Sequence, residues 1–420
     1  MPLRRYAIVG LGGRGLGMFA RPLMEDFAAT AELAAVCDSN PIRMANAVAD
    51  LPRPVAQFTD FDEMLRAADP DAVVVTTRDA AHAGYVVRAL RAGKRAISEK
   101  PLCTTAAQCR EILSAVDETG GTCLTTHNAR YGAATRLIRD IIRSGRLGPI
   151  RFIAFDETLD RVHGADYFRR WHRRLADSGG LQIHKASHHF DAINWWADAL
   201  PVSVAAQGSL RFYGSNGPFR HTRCRGCPHA DHCAFHADVF THDRYRRMYL
   251  DAESADGYCR DGCVFDDQID IPDQIAALIR YDSGLEVAYS LLAYSPYESQ
   301  RVIIEGADAR LEYVTTYNTG WAIGGKPIPG IEEIVGETVK IYHPAEGVEE
   351  VPVERVAGSH GGADPQLRAD FFGRDWDAEP NEMMASVDQA VQAVLIGAAV
   401  TESIARDGRP IHVQDLLKSG

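Results

Sequence analysis

Residues 6–15 read YAIVGLGGRG, an apolar strand pattern that runs without a break into Gly10, Gly12, Gly13 and Gly15, with Arg14 set among them. The apolar groups at 16–28 keep helical spacing, and ELAAVCD at 32–38 returns to a strand pattern. Between a strand and a helix, glycines at this spacing have separate tasks. Gly10 permits a tight turn, Gly12 lets the backbone approach a pyrophosphate, and Gly15 lets the helix pack closely. Free amides at the helix start, from Gly13 and Arg14 onward, favour phosphate charge. Asp38 closes the second strand, where it can accept hydrogen bonds from a ribose diol while its charge opposes a 2′-phosphate. NAD is therefore expected over NADP, with Arg14 and Arg43 as nearby cations that soften the repulsion.

The same alternation of elements continues. DAVVVTT at 71–77 is a buried strand, RDAAHAGYVVRALRAGK carries a helix ending near Gly93, RAISEKPL at 95–102 is a short strand broken by Pro101, and GTCLTTHNARY at 121–131 is the last strand. Open parallel sheets place ligands at the carboxyl ends of their strands, which makes Thr76, Thr77, His82, Glu99 and Lys100 candidates to border a nicotinamide. The expected fold class is α/β: an N-terminal Rossmann fold over 1–126, then a C-terminal α+β domain over 127–420 built on a large, mostly antiparallel sheet.

A chain of 420 residues has the length for two cores. Its formal charge of -12 argues against a general nucleic-acid or anionic-membrane surface. No apolar run reaches the length of a membrane span, and MPLRRYAIVG passes straight into a strand without a signal-peptide pattern, so a cytoplasmic location is expected.

Beyond Tyr131 a helix at about 133–144 leads through SGRLGP into the strand RFIAFDETL. YFRRWHRRL at 167–175 concentrates Arg169, Arg170, Arg173 and Arg174, which read either as a solvated basic face or as a bidentate clamp for an anionic sugar such as a uronide or sulfoquinovoside. In SGGLQIHKASHHFDAINWW at 178–196 a glycine break precedes a helix. Helical spacing puts His184, His188, Asp191 and Trp195 on one face, with Lys185 and His189 on the neighbouring stripe. So many polar groups are costly to bury without partners, and imidazoles titrate near neutral pH, so this face is a candidate proton relay. A metal site at His184 and His188 lacks both the glutamate of HExxH and a third ligand. Strand-like segments at 200–216, 272–294 and 300–315, an irregular loop or hairpin at 320–334 and a long helix at 381–408 complete the reading.

Cys37, Cys103, Cys109 and Cys123 are scattered and read as small buried side chains. Cys224, Cys227, Cys233, Cys259 and Cys263 crowd into a polar insertion at about 220–265. In a reducing compartment such crowding suggests a metal before disulfides. A structural Zn2+ held by Cys224, Cys227, Cys233 and either Cys263 or Cys259 is expected, its shell filled and closed to substrate. An iron–sulfur cluster, free thiols, or His229, His232 or His236 in place of one cysteine are the alternatives.

Taken together, the GLGGRG opening, EKP at Glu99, Lys100 and Pro101, the GG before a histidine helix and the long C-terminal helix resemble the glucose-fructose oxidoreductase, inositol dehydrogenase and rhizopine catabolism family. The resemblance implies a nicotinamide-dependent enzyme of sugars or cyclitols that assembles as a homo-dimer or homo-tetramer. It implies a place for Lys100 near the reacting hydroxyl and an acid/base role for His188. It also favours Cys263 over Cys259 in the metal set. The family's helix carries an Asp where this chain has His184, so the negative charge that would raise the basicity of His188 is replaced by an imidazole.

Two chemistries fit these parts. In the first, a sugar hydroxyl gives its proton to His188 and its carbon gives a hydride to NAD+, with Lys100 stabilising the alkoxide and His184 passing the proton on. In the second, a glycoside hydrolase or lyase uses NAD catalytically: transient oxidation at C3, elimination, water addition and re-reduction. That cycle calls for more proton-transfer groups, and His184, Lys185, His188 and His189 offer them.

Overall fold

The computed structural model describes residues 3–317, 330–354, 356–376 and 381–418. The chain divides into two compact units: Met1–Tyr131 with Asp238–Arg260 and Ala357–Val394, and Gly132–Ala237 with Asp261–Val356 and Leu395–Gly420. The cysteine-rich stretch is thus shared, its 238–260 portion belonging to the first unit.

In the first unit the strands are β1 (Arg4–Val9), β2 (Ala31–Cys37), β3 (Ala56–Phe58), β4 (Ala72–Val75), β5 (Arg95–Ser98) and β6 (Cys123–Thr125). They pair in parallel in the order β3-β2-β1-β4-β5-β6, and the two-residue strand Ala385–Ser386 adds antiparallel to β6. The order reverses beside β1, so the carboxyl ends of β1 and β4 flank the crevice where doubly wound sheets bind ligands. β4 is buried along its whole length, as parallel strands covered on both faces must be. The helix after the glycines opens as a widened π turn over Gly15–Ala20 and becomes regular only at Arg21–Glu25. Residues from late in the chain fill this core: Tyr6 donates its hydroxyl to the Phe371 carbonyl at 3.0 Å and meets the Phe372 ring edge-on at 5.0 Å.

The second unit is built on β7 (Ile150–Asp160), β8 (Pro201–Ser209), β9 (Gln274–Tyr281), β10 (Glu286–Ser295), β11 (Glu298–Gly306), β12 (Arg310–Tyr317), β13 (Gly336–His343) and β14 (Gly347–Val351). With Ile411–His412 they form a nine-stranded sheet in the order β14-β13-β12-β11-β7-β10-β9-β8 and then Ile411–His412, antiparallel except where β7 meets β10. β9 alternates strictly, burying Ile275, Ala277, Ile279 and Tyr281 and exposing Leu278. β13 and β14 escaped the sequence reading. β14 lies at the sheet edge with Glu349 and Glu350 on an exposed strand, and charge is how edges avoid pairing, so it shows no apolar alternation. The long helix is shorter than expected, Val387–Ala405. Most of the 320–334 segment lies outside the described residues, and its described end holds a short turn at Ile331–Glu333. Among the described residues no helix is long and apolar enough to cross a membrane.

Candidate functional site

In the first unit, backbone crowding explains two of the four glycines. A Cβ on Gly10, whose φ is +90°, would lie 2.7 Å from the Thr76 carbonyl; one on Gly15 would lie 2.2 Å from the Gly10 oxygen. Gly12 and Gly13 are different. A Cβ there would meet nothing nearer than the Tyr249 hydroxyl, at 3.9 and 3.5 Å. The loop is therefore tight beneath and open above, which fits backbone approach by a dinucleotide pyrophosphate. The Asp38 carboxylate is buried and accepts the Leu11 amide at 2.7 Å and the Asn40 amide at 2.9 Å, tying the β1 turn to the end of β2.

Thr76 donates its hydroxyl to the Gly10 carbonyl at 2.6 Å, while the hydroxyl of the half-buried Thr77 donates to the Arg78 carbonyl at 3.3 Å. His82 is buried with Nδ1 2.8 Å from the Pro101 carbonyl and Nε2 3.2 Å from that of Thr77. Burial lowers its pKa against the pull of those carbonyls, and the neutral ring donates to one of them. It thus fastens the segment that carries Lys100 to the end of β4. Glu99 is buried, accepting Arg14 Nε at 2.7 Å and the Lys100 amide at 3.0 Å. Arg14 also pairs with Asp364 at 3.3 Å. Burial disfavours charge on Asp364, but hydrogen bonds from His360 and Asn128 and the cation at Arg14 hold its carboxyl well below the usual range.

Tyr249 was not foreseen. Its hydroxyl accepts the Gly13 amide at 3.0 Å, so an aromatic from the cysteine-rich stretch sits on the glycine loop. Only its return to this unit reveals it; the local sequence RRMYL carries no such signal.

In the second unit the histidine segment is not one helix. Leu181–His184 and Ser187–Ala197 are separated at Lys185 and Ala186, where the Ala186 amide reaches back five residues to Leu181. The expected single face for His184, His188, Asp191 and Trp195 is corrected accordingly. His184, Lys185 and His188 are partly accessible, whereas His189, Asp191 and Trp195 are buried.

The group that organises them is Glu157, which the sequence reading missed. On β7 it falls in the row Ile153, Phe155, Glu157 and Leu159, all core-facing, and a carboxylate in such a row requires partners. It has them: Lys185 Nζ at 3.0 Å, Gln300 Nε2 at 3.0 Å and His189 Nε2 at 3.6 Å, with His189 Nδ1 2.9 Å from the Tyr289 hydroxyl. Burial opposes the charge on Glu157, but Lys185, His189 and the Gln300 hydrogen bond together outweigh it and lower the pKa. Burial likewise opposes the charge on Lys185, and Glu157 raises its pKa well above that of a free lysine. Lys185 is thus a fixed cation rather than a proton carrier.

A second chain of polar groups adjoins. Asp160 caps the helix Arg161–Arg169 by accepting the Val162 and His163 amides, and the helix packs so closely on β10 that a Cβ on Gly164 would lie 1.8 Å from the Ala293 oxygen. Held this way, His163 places Nδ1 2.8 Å from Glu298 and Nε2 3.2 Å from the Tyr167 hydroxyl. In this geometry Nδ1–H can donate to Glu298 while Nε2 accepts from the Tyr167 hydroxyl. Tyr167 meets the His184 ring edge-on at 5.4 Å, and His172, stacked on Trp171 at 3.7 Å, meets His184 at 4.2 Å.

The arginines are engaged within the chain. Arg169 is buried against Cys224 Sγ at 2.9 Å and the Phe235 carbonyl at 2.8 Å; Arg170 pairs with Asp166 and Arg173 with Asp266, both at 3.2 Å. The zinc expectation finds no support in the geometry: among the described residues no group of three or more His, Cys, Asp or Glu side chains is arranged to hold a metal, although Cys224, Cys227 and Cys263 all lie near enough to Cys233 to act on its thiol. A guanidinium already lies against Cys224, and burial and the neighbouring thiols raise the pKa of Cys233. The two cysteine stretches are joined instead by Asp261, which is buried, binds Arg223 at 2.5 Å and the Arg225 amide at 2.9 Å, and offers its carbonyl to the Cys224 amide at 2.7 Å.

Residues 4–127 match the family model described as "Oxidoreductase family, NAD-binding Rossmann fold", and residues 139–413 match "Oxidoreductase family, C-terminal alpha/beta domain". The chain belongs to the Gfo/Idh/MocA oxidoreductase family. Its similarity to YteT of Bacillus subtilis (strain 168), whose name calls it an oxidoreductase, is 30% identity over 436 residues, covering 99% of each chain. Two further likenesses are partial. Inositol 2-dehydrogenase of Rhizobium meliloti (strain 1021) is 30% identical over 49% of this chain and 58% of its own length. Alpha-N-acetylgalactosaminidase of Shewanella oneidensis is 28% identical over 36% of this chain and 34% of its own length.

Proposed function

We propose that this enzyme transfers a hydride between NAD and a hydroxyl-bearing carbon of a neutral sugar or cyclitol. The observation that carries the reading is the Glu157–Lys185 pair, which keeps a cation in sequence between the partly accessible His184 and His188. Such a group suits a substrate that must be held by its hydroxyls while one of them loses a proton. A bound nicotinamide supplies the hydride acceptor. His188 takes the hydroxyl proton, Lys100 steadies the alkoxide as charge develops, and His184 passes the proton outward. Gly10, Gly12, Gly13, Gly15 and Asp38 hold the dinucleotide, with Glu99 and His82 setting the segment that bears Lys100. The paired arginines at 169, 170 and 173 leave an anionic substrate without support.

The test is NADH formation across a panel of sugars and cyclitols, with Lys100→Ala and His188→Ala as comparisons. Each variant is expected to lose about a hundredfold or more in kcat while NAD+ binding persists. Unchanged turnover in both would end this reading.

The Tyr167–His163–Glu298 chain supports a second reading, redox-assisted glycoside cleavage, because that cycle needs an additional proton-transfer group; the partial likeness to a glycosidase supports it too. Cleavage of a glycoside with deuterium uptake at C2 and no NADH accumulation would establish it. Stoichiometric NADH without cleavage would dismiss it.

A further inference from the structure

Three charged side chains meet at the end of β2. Arg43, on the helix Pro41–Ala49, places one guanidinium nitrogen 3.6 Å from Asp38 Oδ1 and another 2.6 Å from Asp256 Oδ2. Arg43 and Asp38 are largely buried, at 12% and 7% side-chain exposure, and Asp256 at 22% is only a little more open. Asp256 arrives from the cysteine-rich stretch, more than 200 residues away in sequence, and is held in place. Its Oδ1 accepts the Tyr258 amide at 3.0 Å, Asn40 Nδ2 donates to the Ala252 carbonyl at 2.9 Å, and Asn46 Nδ2 donates to that of Arg247 at 2.8 Å.

The arrangement bears on which dinucleotide is taken. An arginine near the acid that follows β2 is the group that accommodates a 2′-phosphate, through paired charge-assisted bonds. Here the short contact goes to Asp256, and the set of three carries a net negative charge. A ribose diol can donate to such a set, whereas a 2′-phosphate must first displace Asp256 and then face two carboxylates.

We propose that Asp256 is a selectivity-determining residue that enforces NAD over NADP by holding Arg43 away from the 2′ position. The proposal rests on the dinucleotide reading of the first unit. Asp256 acts through Arg43, as a positioning residue.

The experiment is direct binding of NAD+ and NADP+ by calorimetry to the full chain, as wild type, Asp256→Ala, Asp256→Glu and Asp256→Ala combined with Arg43→Ala. Asp256→Ala is expected to tighten NADP+ by about tenfold or more relative to NAD+. Asp256→Glu should keep the wild-type ratio, and the double variant should lose the gain. A merely structural role would weaken both cofactors together and leave their ratio fixed. That result, or a gain that survives removal of Arg43, would overturn the proposal while leaving the cofactor reading intact. Failure of the wild type to bind either dinucleotide would overturn the cofactor reading, and the proposal with it.

Discussion

At Gly15 an added Cβ would sit 2.2 Å from a carbonyl oxygen of its own chain, so the first unit writes its binding loop in backbone crowding. The second unit writes its polar cluster in side-chain charge, with Glu157 placed by β7 in a core-facing row and satisfied from Lys185 and Gln300. The first device needs only residues close in sequence and a sheet partner. The second needs β7, β11 and the histidine segment all folded. Errors in the two should therefore fail differently: one through local sterics and cofactor, the other through an uncompensated buried charge.

The largest effect is expected at Glu157. Glu157→Leu strands the Lys185 ammonium in a largely buried position and should cost about 3 kcal/mol in denaturant unfolding. Adding Lys185→Met should recover most of that loss, since the pair removed together leaves no lone charge. Non-recovery would mean that the cluster is not organised by this pair. The pH response follows from the same pair. Glu157 has a lowered folded-state pKa, so its contribution is complete above the ordinary carboxylate value of about 4.3 and disappears as pH falls through the lowered one. Lys185 has a raised pKa, so its contribution is complete below about 10.4 and is lost only as pH climbs through the raised value. Stability from the pair should be level between those limits, and an acid-side decline steeper in wild type than in Glu157→Leu/Lys185→Met would show it.

The next contrast lies within the glycine loop. Gly15→Ala should lower the thermal midpoint clearly and weaken NAD+ binding, because the backbone must move to admit the methyl. Gly12→Ala has room in the protein itself, so its midpoint should stay near wild type while NAD+ binding falls. Equal midpoints for the two variants would remove the distinction between packing glycine and ligand glycine.

The same contrast explains what could be read beforehand. The strands around YAIVGLGGRG, Asp38 and the Glu99–Lys100 segment were legible because apolar period, turn glycines and strand ends are local signals. His184, Lys185, His188 and His189 were legible as unusual polar groups, but the break at Lys185 and Ala186 was not, since backbone φ/ψ stays helical there and only the hydrogen-bond ladder slips. Glu157 had a signal that went unused: IRFIAFDETL alternates, and the acid falls in phase with Ile153, Phe155 and Leu159. Glu298, Tyr249 and Asp256 had none, because each becomes meaningful only through a partner more than a hundred residues away.

A smaller effect tests the cysteine region against both. Arg169→Met removes the bond to the Phe235 carbonyl and the contact with Cys224, and should cost about 1–2 kcal/mol.

The smallest expected response is to chelation. A structural zinc held by thiolates supplies on the order of 10 kcal/mol of apparent folding free energy, so stripping one would unfold the loop it organises. Here Asp261 joins the two cysteine stretches through Arg223, the Arg225 amide and the Cys224 amide, bonds that a chelator does not touch. If these bonds alone order the region, dialysis against a strong chelator leaves the thermal midpoint unchanged and elemental analysis finds well under one zinc per chain. Asp261→Asn, by contrast, weakens the Arg223 pair inside a buried site and should lower the midpoint without any chelator present. A stoichiometric zinc whose removal lowers the midpoint, with Asp261→Asn silent, would mean that the thiols carry the order of this region and the carboxylate does not.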